Sequence, residues 1–564
     1  MLAFRFMKGQ LMLKDFQPML FRSLRGYTKK QLASDVISGI IVAIIALPLS
    51  IALAIASGVG AQEGLYTAIV AGFLISFFGG STVQISGPTA AFATIVAGIV
   101  ASKGMSGLML ATIMAGILLV LMGLFRLGSL IKYIPYTITT GFTAGIAVTI
   151  LVGQLKDFFG LTYREGVSPI ETVEKLEAFF GHLPTVNGYA ILVGAISLLI
   201  LVVWPKIKYV NKVPASMIAV IVGILCVSVF HLPVNTISGV SGGFPAFRLP
   251  EFSFKLAKEV LPDAFTIAML AAIESLLSAV VADGMTNTRH NSNTELVAQG
   301  IGNLGSALFG GIPATGAIAR TAANVKNGGR TPIAGMVHAV VLLLVLLLLM
   351  PYASLIPMPV IAAILFVVAY NMCQWRPFVR LIKTAPASDI FVLVLTFVLT
   401  VVFDLVVAIV VGLVLACIFF MKRMGDETSV RSWMQPEEKP QDATRLLPVP
   451  KGVSVYDITG PLFFGVTDRI ATIGTSLDLT RCIILRMKGV PAIDATAINA
   501  LLDLYERCSD AGIALILSHV NEQPLAAMKH SGFAQKIGED RICSHIDDAL
   551  SLACILVSEE TDPS

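Results

Sequence analysis

The sequence predicts a polytopic α-helical membrane protein with a small soluble α/β domain at its C-terminal end. Of its 564 residues, 55% are hydrophobic and only 13% are charged, whereas soluble proteins usually carry about 25% charged residues. The apolar excess lies between residues 35 and 423, in runs such as 40–55, 337–350 and 391–420. Several runs are long enough to cross a bilayer as helices. A soluble core would not need so many of them.

The chain changes character after Phe420. Residues 422–450 are polar and rich in proline, which is typical of a linker. Strand-like runs at 453–458, 482–487 and 514–518 then alternate with helical patterns at 495–508 and 523–530. We therefore expect an N-terminal arm (1–33), a transmembrane region (34–423), a linker (424–450), an α/β domain (451–557) and a tail (558–564).

The transmembrane region contains an internal repeat. Three pairs of features recur at offsets between 228 and 232 positions. They are Asp35 with Asp263, Glu63 with Glu295, and the Phe-Gly-Gly runs at 78–80 and 309–311. Internal duplication is common in secondary transporters. The repeats are expected at about 34–231 and 261–423.

The basic residues predict the topology. Fourteen hydrophobic segments can be counted, with basic clusters near 22–30, 126–132, 206–212, 326–330, 376–383 and 422–423. A cytoplasmic N-terminus places every basic cluster inside and the acidic loop 156–187 outside. Both termini and the α/β domain are then cytoplasmic. Seven segments per repeat is an odd number, so the second repeat is predicted to be inverted in the cell membrane.

Two breaks inside apolar runs predict a binding site. Gly87-Pro88 interrupts the first repeat, and the helix that follows, 89–102, is too short to span the bilayer. The run 312–317 interrupts the second repeat in the same way, and the helix that follows it reaches about residue 327. Helices that start inside a membrane leave N–H groups unpaired, and these groups with the helix dipole favour an anion. Two proline-kinked full-length helices are the alternative.

Three polar side chains accompany the breaks. Arg320 lies in the second short helix, where a charged group is costly and therefore predicted to be functional. It could attract an anion, neutralise Glu274 or reach an interface. Glu274 is the one carboxylate within 265–282 and has Ser278 on the same helical face. Glu274 is a candidate proton carrier or cation ligand, or the structural partner of Arg320. The predicted substrate-binding residues are Pro88, Thr89, Ala90, Thr315, Gly316, Ala317, Ile318 and Arg320.

These stretches resemble the SulP family of sulfate permeases and related anion carriers. The resemblance is carried by 63–70 (EGLYTAIV), 85–89 (ISGPT), 271–279 (AAIESLLSA), 320–324 (RTAAN) and 328–332 (GGRTP). It covers nearly the whole chain, and the C-terminal part resembles the STAS domain of that family. The resemblance implies a seven-plus-seven inverted repeat, a core domain that moves against a gate domain, and a homodimer.

The resemblance also bears on the coupling ion. In sodium-coupled bicarbonate carriers of the family, an acidic residue and a hydroxyl one turn later help to bind sodium, which implies this role for Glu274 and Ser278. The residues that match the rest of that site are Gly316, Ala317 and Ile318, and a threonine is expected where Ile318 stands. The missing hydroxyl favours a proton over sodium.

In the STAS part, the similar anti-sigma antagonists carry a phosphorylatable serine after an aspartate. Thr496 occupies that place, two residues after Asp494. Thr496 is therefore a possible phosphorylation site, and the alternative is that it caps the following helix.

The sequence thus predicts a proton-coupled symporter of a small anion, with sulfate as the default substrate. The alternatives are sodium-coupled bicarbonate symport, an anion channel or exchanger, and a sensor that signals through the STAS domain. No nucleophile–base pair, phosphate loop or metal-ligand spacing is evident, and the seven cysteines form no paired motif. We predict neither enzymatic activity, nor a cofactor or metal, nor a nucleic-acid partner.

Overall fold

The structure is a computed structural model, which describes residues 16–164, 169, 171–208, 213–237, 243–250, 253–403, 405–432, 449–473 and 480–559. The chain divides into two compact units, Met1–Leu413 and Val414–Ser564. The first unit contains the apolar helices. The second contains a five-stranded sheet. This arrangement confirms the predicted fold class.

The first unit is built from helices and two very short strands. Its first half contains α1 (Met19–Ser23), α2 (Lys29–Ala56), α3 (Ala61–Phe78), β1 (Ser86–Gly87), α4 (Ala93–Leu124), α5 (Tyr136–Gly153), α6 (Leu155–Phe159), α7 (Thr172–Gly181), α8 (Gly188–Val203) and α9 (Ala215–Phe230). Its second half contains α10 (Phe254–Thr286), α11 (Ser292–Leu308), β2 (Thr315–Gly316), α12 (Ile318–Lys326), α13 (Ile333–Leu349), α14 (Met358–Cys373), α15 (Trp375–Thr384) and α16 (Ala387–Val402), and α17 (Leu405–Glu427) continues into the second unit.

Eight helices in the described part of the chain are long and apolar enough to cross a membrane, and three more are apolar but shorter. One of the eight, α4, is interrupted at Gly104, whose φ of 67° and ψ of −175° are not helical. A residue with a Cβ adopts such a conformation only with strain. The break divides α4 into a first half of eleven residues, 93–103, and a longer second half. The count of fourteen crossings stays a prediction.

Close backbone contact brings α4 and α11 together. A Cβ built on Gly300 would lie 2.5 Å from the carbonyl oxygen of Gly116, and one built on Gly116 would lie 2.8 Å from that of Gly300. Small residues at such crossings let membrane helices approach closely. The two glycines therefore set the distance between helices from different repeats.

Gly300→Ala should destabilise the protein by about 1–3 kcal/mol, since the added methyl group meets backbone atoms that cannot turn aside. Thermal unfolding of the solubilised full chain would measure the loss. Gly284→Ala is the matched control, because that helical glycine in α10 has open space around it. Equal unfolding temperatures for the two variants would show that the crossing tolerates a side chain.

The second unit is a sheet with helices on both faces. Its elements are β3 (Ser429–Ser432), β4 (Val453–Thr459), α18 (Thr467–Ala471), β5 (Cys482–Gly489), α19 (Ala495–Asp510), β6 (Ala514–Ser518), α20 (Glu522–His530), α21 (Phe533–Ile537), β7 (Ile542–Cys543) and α22 (Ile546–Glu559). The strands lie in the order β3-β4-β5-β6-β7, and only the β3–β4 pair is antiparallel.

Alternating side chains of the strands fill two separate cores. Ile483 and Leu485 pack with residues of α19 on one face, and Ile484 and Ile516 pack with α22 on the other. Strands that are covered on both faces read as continuous apolar runs. This explains why 482–487 could be recognised as a strand from its sequence.

The segment predicted as a linker contains regular structure. Residues 424–427 complete α17, and β3 pairs with β4, with Ser429 opposite Thr459. The sheet therefore includes residues that precede the predicted domain start at 451. β3 was not recognised as a strand because its sequence is mostly polar, and an edge strand needs few apolar side chains. Residues 433–448 lie outside the described ranges.

Candidate functional site

The two predicted breaks meet in the structure. β1 pairs antiparallel with β2, with Ser86 opposite Gly316 and Gly87 opposite Thr315. The N–H of Ala317 also donates to the carbonyl oxygen of Ile85 over 2.9 Å. These bonds satisfy backbone groups that neither helix could satisfy alone, as a membrane interior requires. The breaks are therefore short strands followed by new helices, and the alternative of two kinked full-length helices is wrong.

Each strand leads into a helix start. Thr89 is the N-cap of the 3-10 turn Ala90–Phe92, which runs directly into α4. Ala317 is the N-cap of α12, so this helix begins at Ile318, whereas the sequence placed its start near Thr315. Thr315 lies in β2 instead. Neither N-cap side chain bonds to the helix behind it, so the first N–H groups of both helices have no side-chain cap.

Two charged side chains of the second repeat contact consecutive residues of the first break. The guanidinium of Arg320 donates from Nη2 to the carbonyl oxygen of Pro88 over 3.0 Å. The hydroxyl of Thr89 donates to Oε2 of Glu274 over 2.8 Å. Among the described residues no ion pair joins Arg320 to Glu274, so the structural pairing considered from the sequence is not formed. The two opposite charges instead each contact the Pro88–Thr89 turn, Arg320 at Pro88 and Glu274 at Thr89.

The predicted site residues divide into accessible and buried groups. Thr89, Glu274 and Ala317 are half-buried, and Ile318 is 39% exposed. The remaining predicted substrate-binding residues are buried: Pro88, Ala90, Thr315, Gly316 and Arg320. The Thr315 hydroxyl donates to the carbonyl oxygen of Ala271 over 3.0 Å. Thr89, Glu274, Ala317 and Ile318 are therefore accessible, whereas Arg320 lies below the surface.

Arg320 is buried without a compensating carboxylate. Its Nε and Nη1 have no hydrogen-bond partner among the described protein atoms, and its side chain is 1% exposed. Burial of an unpaired charge is costly unless another charge approaches it. The positive potential of this guanidinium therefore favours an anion near the two helix starts.

Among the described residues, no hydrogen bond joins Ser278 to Glu274. Its buried hydroxyl lies 3.4 Å from Oγ1 of Thr321, and that oxygen accepts the N–H of Ile85 over 3.0 Å. Ser278 thus belongs to a contact between α10, α12 and β1. The role of Ser278 as a cation ligand beside Glu274 stays a prediction.

Sequence reasoning used Glu295 only to mark the repeat, but the structure places it at the centre of a network. Its Oε2 accepts the N–H groups of Gly80 and Ser81 over 2.9 and 3.1 Å. Its Oε1 accepts from the amides of Gln84 and Gln299 over 3.0 and 2.9 Å. A buried carboxylate with this many donors is well compensated. Glu295 therefore fixes the chain that enters β1.

The spacing of three polar residues in α11 could have indicated this network from the sequence. Glu295, Gln299 and Asn303 are spaced by four residues and lie on one face of α11. Asn303 exchanges two bonds of 2.9 Å with the backbone of Ala314, just before β2. One polar stripe of α11 thus holds both broken segments.

The far ends of the two short helices are held by the opposite repeat. Asp35 of α2 accepts the N–H of Arg330 over 2.7 Å and the hydroxyl of Thr331 over 2.5 Å, just beyond the end of α12. Lys103, at the end of the first half of α4, pairs with Asp263 of α10. Asp35 and Asp263 are one of the matched pairs of the repeat. Each repeat therefore anchors the short helix of the other.

A partly polar cavity of about 220 Å³ runs along the first half of α4, from Ala91 to Ser102. Hydroxyl groups of α5, α10 and α16 line its other walls: Thr149, Thr266 and Thr400. Eleven helical residues rise about 16 Å. The cavity thus reaches from the first helix start toward the Lys103–Asp263 pair.

In the second unit, Asp494 caps α19. Its Oδ1 accepts the N–H of Ala497 over 2.8 Å, and its Oδ2 accepts that of Phe464 over 3.0 Å. Thr496 lies in the first turn with its side chain exposed. The alternative in which Thr496 caps the helix is therefore wrong, and its modification stays a prediction.

Asp494→Ala should destabilise the start of α19 by about 1 kcal/mol through loss of the cap. Amide hydrogen exchange of the full chain would then be faster in residues 495–498 than in the wild type. Thr496→Ala should leave this exchange unchanged, because that side chain does not hold the helix. Equal exchange in Asp494→Ala and the wild type would contradict the assignment.

Comparisons with known proteins agree with these observations. The family model described as "Sulfate permease family" matches residues 32–396, and the model of the STAS domain matches residues 445–549. The provisionally named sulfate transporter YvdB of Bacillus subtilis (strain 168) is 42% identical over 93% of this chain and 98% of its own length. The bicarbonate transporter BicA of Synechocystis sp. is 32% identical over 86% of this chain and 88% of its own.

Solved structures show the same fold. The structure described as the overall structure of SLC26A9 superposes with a TM-score of 0.86, at 19% identity, over 98% of this chain and 95% of that one. Because the identity is low, this likeness supports the fold alone. It covers both the helical unit and the sheet unit.

Proposed function

We propose that this chain, which belongs to the sulfate permease family and is therefore an anion transporter, moves its anion by proton-coupled symport, with sulfate as the default substrate. The observation that carries the proposal is that Arg320 and Glu274 contact consecutive residues of the Pro88–Thr89 turn. The anion binds at the two helix starts, beside Thr89, Ala317 and Ile318. The transporter needs no cofactor and carries out no catalysis.

Proton coupling follows from the charges at the turn. When Glu274 is ionised, its negative charge offsets the potential of Arg320 and repels an anion at Thr89. When Glu274 takes up a proton, the charge of Arg320 is no longer offset, and the anion binds more tightly. Proton and anion therefore favour each other's binding, which is the condition for symport.

The site recognises its substrate mainly by charge and size. Backbone N–H groups at helix starts bind oxyanions without distinguishing strongly among them. Sulfate is the default because a 42% identical relative carries that name. Bicarbonate is the second candidate, because a 32% identical relative is named for it. Sodium would then be the coupling ion, as the family resemblance implies.

Uptake of sulfate into proteoliposomes that contain the full chain tests the proposal. We expect uptake to rise several-fold when the outside is made acidic, and to collapse when a protonophore removes the gradient. Replacement of sodium by choline should leave uptake unchanged, since Ile318 offers no hydroxyl to a cation. A sodium requirement, or preferential uptake of bicarbonate, would favour the second candidate. Linear chloride currents that do not saturate would favour a channel.

The cellular setting is part of the same proposal. The basic clusters favour a cytoplasmic N-terminus and a cytoplasmic STAS domain. Relatives from bacteria favour the cell membrane as the location. A homodimer is the expected assembly, as the family resemblance implies.

A further inference from the structure

A second cavity lies at the N-terminal end of α11 and is distinct from the predicted substrate site. Its volume is about 380 Å³, and its walls come from α1, from the turn after α4 and from the start of α11. The residues that matter here are Arg22, Arg289, His290, Ser292 and Ser129. The volume falls in the range of small-ligand sites.

The Phe-Gly-Gly turn, residues 78–80, positions two of the segments that form this cavity. The carbonyl oxygen of Gly79 accepts the N–H of Met19 over 2.8 Å, and that of Gly80 accepts the N–H of Asn291 over 3.0 Å. One turn therefore positions both α1 and the start of α11. The side chain of Phe21 packs edge-on against Phe77, with ring centroids 6.2 Å apart.

Two guanidinium groups reach this cavity without a counter-ion. Within the described residues, neither the Arg22 nor the Arg289 side chain forms a hydrogen bond or an ion pair. The nearby carboxylate of Asp283 is already bound to His290, over 2.7 Å to Nδ1. Nε2 of His290 lies 3.0 Å from the Ser292 hydroxyl. The cavity thus offers two free guanidiniums with imidazole and hydroxyl groups close by.

Exposed apolar side chains that are close in sequence to Arg22 and Ser129 of this cavity indicate its position relative to the bilayer. On α1, Phe21 is 46% exposed, and Leu24, which follows the helix, is also 46% exposed. Phe125, at the end of α4, is 72% exposed. Exposed large apolar side chains beside basic residues are typical of a membrane interface. The positive-inside pattern predicts that this interface is the cytoplasmic one.

We propose that this cavity binds the phosphate group of an anionic phospholipid from the cytoplasmic leaflet. Arg22 and Arg289 pair with the phosphate oxygens, since guanidinium matches that geometry with two parallel N–H bonds. The Ser292 hydroxyl, whose oxygen can accept an N–H from Nε2 of His290, supplies a further donor. Phe21, Leu24 and Phe125 lie against the acyl chains. Basic pockets between membrane helices on this side recognise such head groups. The backbones of Met19 and Asn291 already bind to the same Phe-Gly-Gly turn. A bound lipid therefore further stabilises α1 against the start of α11.

Nanodiscs that contain the full chain provide the test. One set holds phosphatidylcholine alone, and a second also holds phosphatidylglycerol. We expect phosphatidylglycerol to raise the unfolding temperature by about 3 °C in the wild type, as for a ligand that binds only the folded state. The rise should shrink in Arg22→Gln and in Arg289→Gln, and vanish in the double variant. Arg25→Gln should keep the full rise, because Arg25 is exposed on the same segment but does not line the cavity.

A rise that persists in the double variant, or falls equally in Arg25→Gln, would show that the lipid acts through general surface charge and would overturn the proposal. Orthophosphate added to phosphatidylcholine nanodiscs distinguishes the source of the phosphate. If it gives the same rise, the site takes a soluble anion and not a lipid. Hydrogen exchange of the wild type gives a readout that needs no variant. Phosphatidylglycerol should slow exchange in residues 19–23 and 289–293, and unchanged exchange there would also overturn the proposal.

Discussion

Glu274→Gln should abolish the response of uptake to a pH gradient while the protein remains folded. The amide keeps the shape of the side chain and its contact with the Thr89 hydroxyl, but it neither gains nor loses a proton. We expect gradient-driven sulfate uptake to fall by at least about 10-fold, since a tenfold change needs only about 1.4 kcal/mol. Exchange of sulfate across the membrane without a gradient should persist, because Arg320 then acts on the anion unopposed.

The control for this experiment is Glu259→Gln. Glu259 lies on the same helix, α10, but its side chain is exposed and away from the turn. This variant should transport as the wild type does. If Glu274→Gln still concentrates sulfate in response to an acidic exterior, the coupling mechanism is incorrect and another group carries the proton.

Arg320→Gln should weaken anion binding more than any other single substitution at the site. The change removes the buried positive charge behind the Pro88 carbonyl and leaves the helix starts as the main attraction. Hydrogen bonds to charged groups contribute about 1.5–3 kcal/mol, so the KM for sulfate should rise by about 10-fold to 100-fold. Uptake at a series of sulfate concentrations would measure this change.

Two further variants separate charge from folding. Arg320→Lys keeps the charge but not the planar fork, and we expect an intermediate KM. Arg330→Gln removes an exposed arginine beyond the end of α12, so it should leave the KM unchanged. Elution of all variants as the wild type in size-exclusion chromatography would establish that they are folded. An unchanged KM in Arg320→Gln would remove this residue from the site.

The fold and the general site could be predicted because their signals are local. Gly87-Pro88 and Pro313 disfavour the continuation of a helix, and apolar runs are readable without tertiary knowledge. The nearly constant offset between matched residues then indicated that the two breaks occupy equivalent positions in the two repeats and form one site. The β-strand pattern of the second unit was readable for the same reason.

The details that were missed depend on contacts between distant residues. Thr315 was taken as a helix start, because sequence gives no sign that residues 315 and 316 pair with 86 and 87. The importance of Glu295 was missed because three of its four donors belong to residues of the other repeat, which are far away in the sequence. The edge strand β3 was missed because three of its four residues are polar.

The antiparallel pairing of β1 with β2 has a consequence for biosynthesis. The pairing joins residues more than 200 positions apart, and chains elongate at about 5–20 residues per second. The first break is therefore made tens of seconds before its partner exists. During this interval Ser86 and Gly87 have no β2 to bond with, and unsatisfied backbone groups are poorly tolerated in lipid. Newly made chains truncated before residue 315 should accordingly stay associated with the insertion machinery, and release should follow synthesis of the second repeat.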